Sequence, residues 1–223
     1  MMRPDPRILR LQSYLESLRP SVLPGAHDGI WGPDTARSVA SALRQSLLSP
    51  DAAILADART VVATLAPDED RIVGEAAQRI ATSPKDPRRG VWTDSGEWAL
   101  RNMRHHSIPI LRTILLHRDA FPAFLAAFTE IQSRFPALRV GKTSCFCLRR
   151  KNWNPKSDWT THVTGYAVDV DWDSDGKWER VEDVPEGSDL AGAFAVLRSW
   201  GFVLGQDWSG KSKDGMHIQW LRL

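Results

Sequence analysis

Residues 165–172, Gly-Tyr-Ala-Val-Asp-Val-Asp-Trp, alternate two kinds of side chain at every position. In an extended strand, neighbouring side chains point to opposite faces. Tyr166, Val168, Val170 and Trp172 therefore share one face, and Gly165, Ala167, Asp169 and Asp171 share the other. A helix would scatter these residues around its axis, so the pattern commits this part of the chain to a sheet with one apolar face. The opposite face is thin: two carboxylates flanked by the two smallest residues, which lets an ion and a substrate approach the backbone.

The last segment, Met-His-Ile-Gln-Trp (216–220), alternates in the same way and sets His217 and Gln219 opposite Met216, Ile218 and Trp220. His162 stands just ahead of the first strand. Two imidazoles and one carboxylate are a donor set typical of catalytic zinc, with a fourth position left for water. His162, Asp169 and His217 are the expected ligands. Bound zinc lowers the pKa of its water to about 7 and polarises a carbonyl, which suits hydrolysis. Asp214, three residues before His217 on a turn made by Gly215, is the expected acid/base. His27, His117 and the adjacent pair His105 and His106 are expected to be surface or packing residues.

The expected class is α+β: a small helical N-terminal domain, then a catalytic domain with a central antiparallel sheet and flanking helices. Ile8, Leu11, Leu15 and Leu18 mark an amphipathic first helix that ends near Pro20. Two tight turns at Asp28-Gly29 and Gly32-Pro33 lead to a second helix capped by Asp34 or Thr35. Two more helices are expected over 51–82, broken at Pro67 and restarted by the acids at 68–70. Residues 86–90, within Ser-Pro-Lys-Asp-Pro-Arg-Arg-Gly, form the expected linker between a domain at 1–85 and one at 91–223. Residues 91–118 suggest helix. Phe121 to Ile131 make a further helical face, residues 137–147 a strand, and Ser188 caps a helix that stops at Gly201.

Two stretches resemble known families. His-Asp-Gly-Ile-Trp-Gly-Pro-Asp-Thr (27–35), between two helices spanning 8–47, resembles the peptidoglycan-binding type 1 domain. That resemblance implies wall binding through Asp28, Gly29, Trp31, Gly32 and Thr35. Residues 120–223 resemble the LAS-type zinc peptidases, the D-Ala-D-Ala carboxypeptidases and L-Ala-D-Glu endopeptidases that include phage endolysins. The motifs are Thr-Thr-His-Val-Thr-Gly-Tyr-Ala-Val-Asp (160–169) and Asp-Gly-Met-His (214–217), with Leu-Arg-Ser-Trp-Gly-Phe-Val-Leu-Gly-Gln-Asp-Trp (197–208) before the last strand. The resemblance implies the same zinc ligands and the same role for Asp214. It departs in two places. Thr160 replaces a serine, and Cys147 occupies the slot of a substrate-binding arginine, which passes that role to Arg149 or Arg150, with Arg149 preferred.

Asp171, Asp173, Asp175, Gly176, Glu179 and Glu182 also match the spacing of an EF-hand calcium loop, though a strand rather than a helix enters it. Calcium is therefore a second expected ion.

With 42% hydrophobic and 25% charged residues and a net charge of +2, the chain can bury a core and shows no basic run suited to nucleic acid. Cys145 and Cys147, one residue apart, are too few and too close for a disulfide framework. The first 20 residues lack the apolar run of a signal peptide, and no membrane insertion is expected. The combined expectation is a monomeric peptidoglycan hydrolase, made in the host cytoplasm and acting on the wall after release. An L-alanyl-D-glutamate endopeptidase leads, ahead of a D-alanyl-D-alanine carboxypeptidase and a non-catalytic wall-binding or phage structural protein.

Overall fold

The computed structural model describes residues 4–18, 28–81, 97–151, 154, 156–172 and 184–223. The fold is α+β. Four helices come first: α1 (Pro6–Leu18), α2 (Pro33–Arg44), α3 (Ala53–Leu65) and α4 (Glu69–Ala81). α2 starts differently from expectation. Gly32 takes the cap position without a side-chain bond, and Pro33, with φ preset for a helix, opens the first turn. Thr35 is turned inward instead. α4 begins where the acid cluster places it, with the Asp68 carboxylate accepting the Arg71 N–H at 2.9 Å.

Short α5 (Glu97–Asn102) leads into an antiparallel hairpin, β1 (Met103–Ile108) with β2 (Arg112–His117). Within 91–118, where helix is expected throughout, α5 meets that expectation over Glu97–Asn102, and the hairpin corrects it from Met103 to His117. The turn contains neither glycine nor asparagine, and Ile110 and Arg112 adopt positive φ of 56° and 66°. The usual hairpin signal is therefore missing from the sequence. α6 (Phe121–Arg134) follows, buried from Phe121 through Ile131.

The second sheet has the order β3-β4-β6-β5, every pairing antiparallel, built from β3 (Thr143–Ser144), β4 (Ala167–Val170), β5 (Val203–Leu204) and β6 (His217–Gln219). The strand expected over 137–147 shrinks to two residues, although the chain beside it stays extended: Gly141 N–H donates to Asp171 O and Asp171 N–H to Lys142 O. α7 (Asp189–Ser199) lies between β4 and β5, capped by the Ser188 hydroxyl and ended by Gly201 at φ 81°.

As the alternation requires, Tyr166, Val168, Val170 and Trp172 enter the core with Ile218 and Trp220. The expected division at 86–90 lies outside the described residues. Among the described residues, Ile8, Leu11, Val39, Leu43 and Leu55 belong to one apolar cluster with Phe124, Phe128 and Trp200. Each such large side chain contributes about 1.5–3 kcal/mol on burial, so this junction is a major part of the fold. Trp31 packs on Trp200 with ring centroids 5.5 Å apart. A buried carboxylate, Glu130, ties three helices together by accepting from Arg59 at 2.5 and 3.1 Å, Arg134 at 2.8 Å and the Trp200 indole at 2.9 Å. Gly201 completes the contact, since a Cβ there would lie 2.5 Å from the Ala63 Cα.

Candidate metal centre

His162 sits in one turn of 3-10 helix, Thr161–Thr164, with the Thr160 hydroxyl oxygen accepting its N–H at 3.5 Å. Gly165 then swings the chain into β4. Its φ is 75°, and a Cβ would fall 2.5 Å from the Met103 methyl carbon and 2.9 Å from the His117 nitrogen. Both constraints require glycine three residues after the histidine. From there β4 carries Asp169 to a position directly opposite His217 of β6. Directly opposed residues on antiparallel strands are close neighbours, so the register itself builds two thirds of the site.

Asp169 Oδ1 lies 3.0 Å from His162 Nε2 and 3.0 Å from His217 Nδ1. Ligands of one tetrahedral zinc, with bonds of about 2.0–2.1 Å, stand roughly 3.3 Å apart, so the spacing suits a single ion. The outer nitrogens are also engaged: His162 Nδ1 lies 2.9 Å from the Cys145 carbonyl oxygen, and His217 Nε2 lies 3.0 Å from Gln219 Oε1. Outer partners of this kind fix ring orientation in metal sites. All three side chains are buried, and among the described residues they form the group able to hold a metal ion.

The electrostatics favour the metal-binding forms unevenly. Burial pushes the Asp169 carboxyl up, but hydrogen bonds from His162 and His217 outweigh it and hold the group below the usual carboxylate range. Burial dominates at His162 and lowers its pKa despite Asp169. At His217 burial also lowers the pKa, yet Asp169 and Gln219 together raise it above the ordinary value. Burial thus favours the neutral ring at His162, whereas Asp169 and Gln219 favour the protonated ring at His217, and a metal ion binds the neutral imidazole.

The triad opens into a cavity of about 410 Å³ whose lining includes Glu69, Arg149, Trp208 and Asp214. Asp214 Oδ1 is buried without a hydrogen-bond partner. The backbone beneath it is firmly held: its N–H donates to Gly205 O at 2.8 Å, its carbonyl accepts from His217 N–H at 3.0 Å, and a Cβ on Gly205 would come within 2.2 Å of that carbonyl. A buried carboxylate oxygen with no protein partner is costly, and here it borders the metal-type cluster. The donor set and this unpaired acid together fit a catalytic metal site with an open position.

Of the two candidate arginines, Arg149 faces the site, with Nη2 3.5 Å from Asp169 Oδ2. Arg150 turns away, donating to Ser157 O at 2.6 Å and lying 4.4 Å over the Trp159 ring. The Trp208 ring stands 5.1 Å from that of His217 and walls one side. Glu69, at the start of α4, has no local sequence signal for a role here. Its Oε2 accepts from Gln219 Nε2 at 2.5 Å across 150 residues of chain.

The residues expected to bind the wall lie elsewhere and brace their own turn. Gln12, itself buried, donates to Asp28 Oδ1 and Thr35 Oγ1, both at 3.0 Å, and accepts the Gly29 N–H at 2.9 Å. Gly29 has φ 67°, Gly32 is half-buried, Trp31 and Thr35 are buried, and Asp28 is exposed. Of the calcium-loop residues, Asp171 is buried with Oδ2 accepting the Lys142 N–H at 3.3 Å; Asp173, Asp175, Glu179 and Glu182 lie outside the described residues. His105 is exposed, His106 stacks on Phe121 at 4.1 Å and His117 on Tyr166 at 4.6 Å, so these are surface and packing residues; His27 lies outside the described residues. Both cysteines are free thiols.

Comparison with protein families, with curated proteins and with solved structures returns no match for this chain. Among the described residues no helix is long and apolar enough to cross a membrane.

Proposed function

We propose that the chain is a zinc-dependent peptidoglycan hydrolase that cuts an amide bond of the stem peptide, as an L-alanyl-D-glutamate endopeptidase of the phage-endolysin kind. The observation that carries this reading is the buried, unpaired Oδ1 of Asp214 in the same cavity as the His162, Asp169 and His217 donors. Zinc, when bound, supplies a water of lowered pKa and polarises the amide carbonyl. Asp214 accepts the proton of the attacking water at Oδ1 and delivers it to the leaving amine. Arg149 offers guanidinium donors to a substrate carboxylate or to the charge that develops on the amide oxygen. Trp208 shields that side of the cavity from water. Attachment to the wall through the turn at 28–35 belongs to the proposal, with Asp28 the exposed one among Asp28, Gly29, Trp31, Gly32 and Thr35.

The test is mass spectrometry of fragments released from purified peptidoglycan, with and without a zinc chelator. A chelator-sensitive cut between L-Ala and D-Glu is the expected result. Release of D-Ala alone makes the chain a carboxypeptidase with the same machinery. No release, with zinc confirmed bound, refutes the hydrolase and leaves a wall-binding or structural protein.

A further inference from the structure

We propose that Glu69, on the helical first half of the chain, is a positioning residue of the metal centre: acting through Gln219, it dictates which nitrogen of His217 faces the ion. The inference rests on the metal-site reading of His162, Asp169 and His217.

For His217 to present Nδ1 beside Asp169 Oδ1 and His162 Nε2, the proton of the neutral ring must sit on Nε2, where it needs an acceptor. Gln219 occupies that place, 3.0 Å away. A glutamine amide has an accepting end and a donating end of nearly the same shape, and the reversed amide would fit the same space. Reversed, it would donate to Nε2, drive the proton to Nδ1 and block the metal-facing nitrogen. Gln219 is fully buried, so bulk water does not decide its direction.

Glu69 does. An ionised carboxylate only accepts, and Oε2 of Glu69 lies 2.5 Å from Gln219 Nε2, so the donating end is drawn to Glu69 and the accepting end is left for His217. The Thr161 hydroxyl, 3.2 Å from His217 Nε2, both donates and accepts and imposes no direction.

The backbone keeps Glu69 in register with the site. Its N–H donates to Arg222 O at 2.8 Å, Arg222 N–H donates to Pro67 O at 2.8 Å, and Asp68 bridges Arg222 in parallel fashion. The start of α4 is therefore stitched to the same terminal segment that carries His217 and Gln219. The helical half is a built-in part of the metal centre through this contact, in addition to any role as an anchor.

The experiment uses the full chain, stripped of metal and titrated with zinc against a chromophoric chelator, with the melting temperature of the metal-free form recorded in parallel. In Glu69→Gln the new amide can donate as well as accept and releases Gln219 to reverse. Zinc affinity is expected to fall about 10–100-fold, the usual effect of losing an outer-shell partner. The double variant Glu69→Gln/Gln219→Glu puts an obligate acceptor beside His217 and a donor behind it, and is expected to recover most of that loss. Asp70→Asn, on the exposed neighbouring acid, is expected to leave affinity unchanged.

If Glu69→Gln also lowers the metal-free melting temperature, the double variant decides, because only the order of donors and acceptors is restored in it. Unchanged affinity in Glu69→Gln, or a double variant that binds no better than the single one, overturns the relay. Failure of the wild-type chain to bind zinc overturns the metal reading as well, so the two failures are distinct.

Discussion

Replacing Asp214 by alanine should move stability and catalysis in opposite directions. Its Oδ1 is buried with no partner, and an unsatisfied buried polar atom costs about 1–3 kcal/mol. Alanine removes that penalty while keeping the backbone bonds to Gly205 and His217. The folded state should therefore lose nothing and gain up to that amount, and each kcal/mol raises Tm by about 2–4 °C for a chain of this size. Zinc should be retained, because Asp214 is not among the three converging donors. Turnover should fall about 10²–10⁴-fold, the usual contribution of a positioned acid/base, which corresponds to about 3–5 kcal/mol of barrier. Calorimetry, zinc analysis of the purified variant and fragment release from peptidoglycan measure the three quantities. A variant that melts several degrees lower and has lost its zinc refutes the reasoning, because Asp214 would then be supporting the site. So does a variant that turns over normally.

Glu130→Ala strands two partly buried guanidinium groups and the Trp200 indole, and should cost about 3–5 kcal/mol by urea denaturation, with a loss under about 1 kcal/mol refuting its role as the tie between the halves. His106→Phe should flatten the decline of stability between pH 7 and 5. Burial, with Arg37 second, lowers the folded pKa of His106. The unfolded chain therefore takes up the proton first, and this part of stability is complete above about pH 6.5 and lost as pH falls towards the folded pKa. Denaturant midpoints at both pH values check this, and equal slopes in variant and wild type would refute it. Calcium added to the zinc-loaded chain should raise Tm if residues 171–182 form a loop of the EF-hand type, and an unchanged Tm rules that loop out.

Much of the site was legible because its geometry is local. Two-residue periodicity assigned Asp169 and His217 to the polar face of their strands, but it read Gly165 as a strand residue, whereas Gly165 is the left-handed turn that joins the 3-10 segment of His162 to β4. The antiparallel register then needed only to set the two faces side by side. The β1–β2 hairpin was not legible, because residues without turn preference, Ile110 and Arg112, take the positive φ values of its turn. Trp31 stood out within its motif, but packing on Trp200 depends on how the two halves meet, which no periodicity within either half encodes.

Glu69 illustrates the same limit at the site itself. An acid in the first turn of a helix already has a sufficient local reason in the helix dipole, so the sequence raises no question about it. Only the path of the last strand, bonded to the α3–α4 junction through Arg222, turns that ordinary acid towards Gln219. The direction of a glutamine amide, and with it the tautomer of a metal-ligand histidine, then depends on a contact spanning most of the chain. The modular division that composition suggests at 86–90 and the continuity that packing creates are therefore different properties, because a linker's composition describes the chain between two units and not the surface they bury against each other.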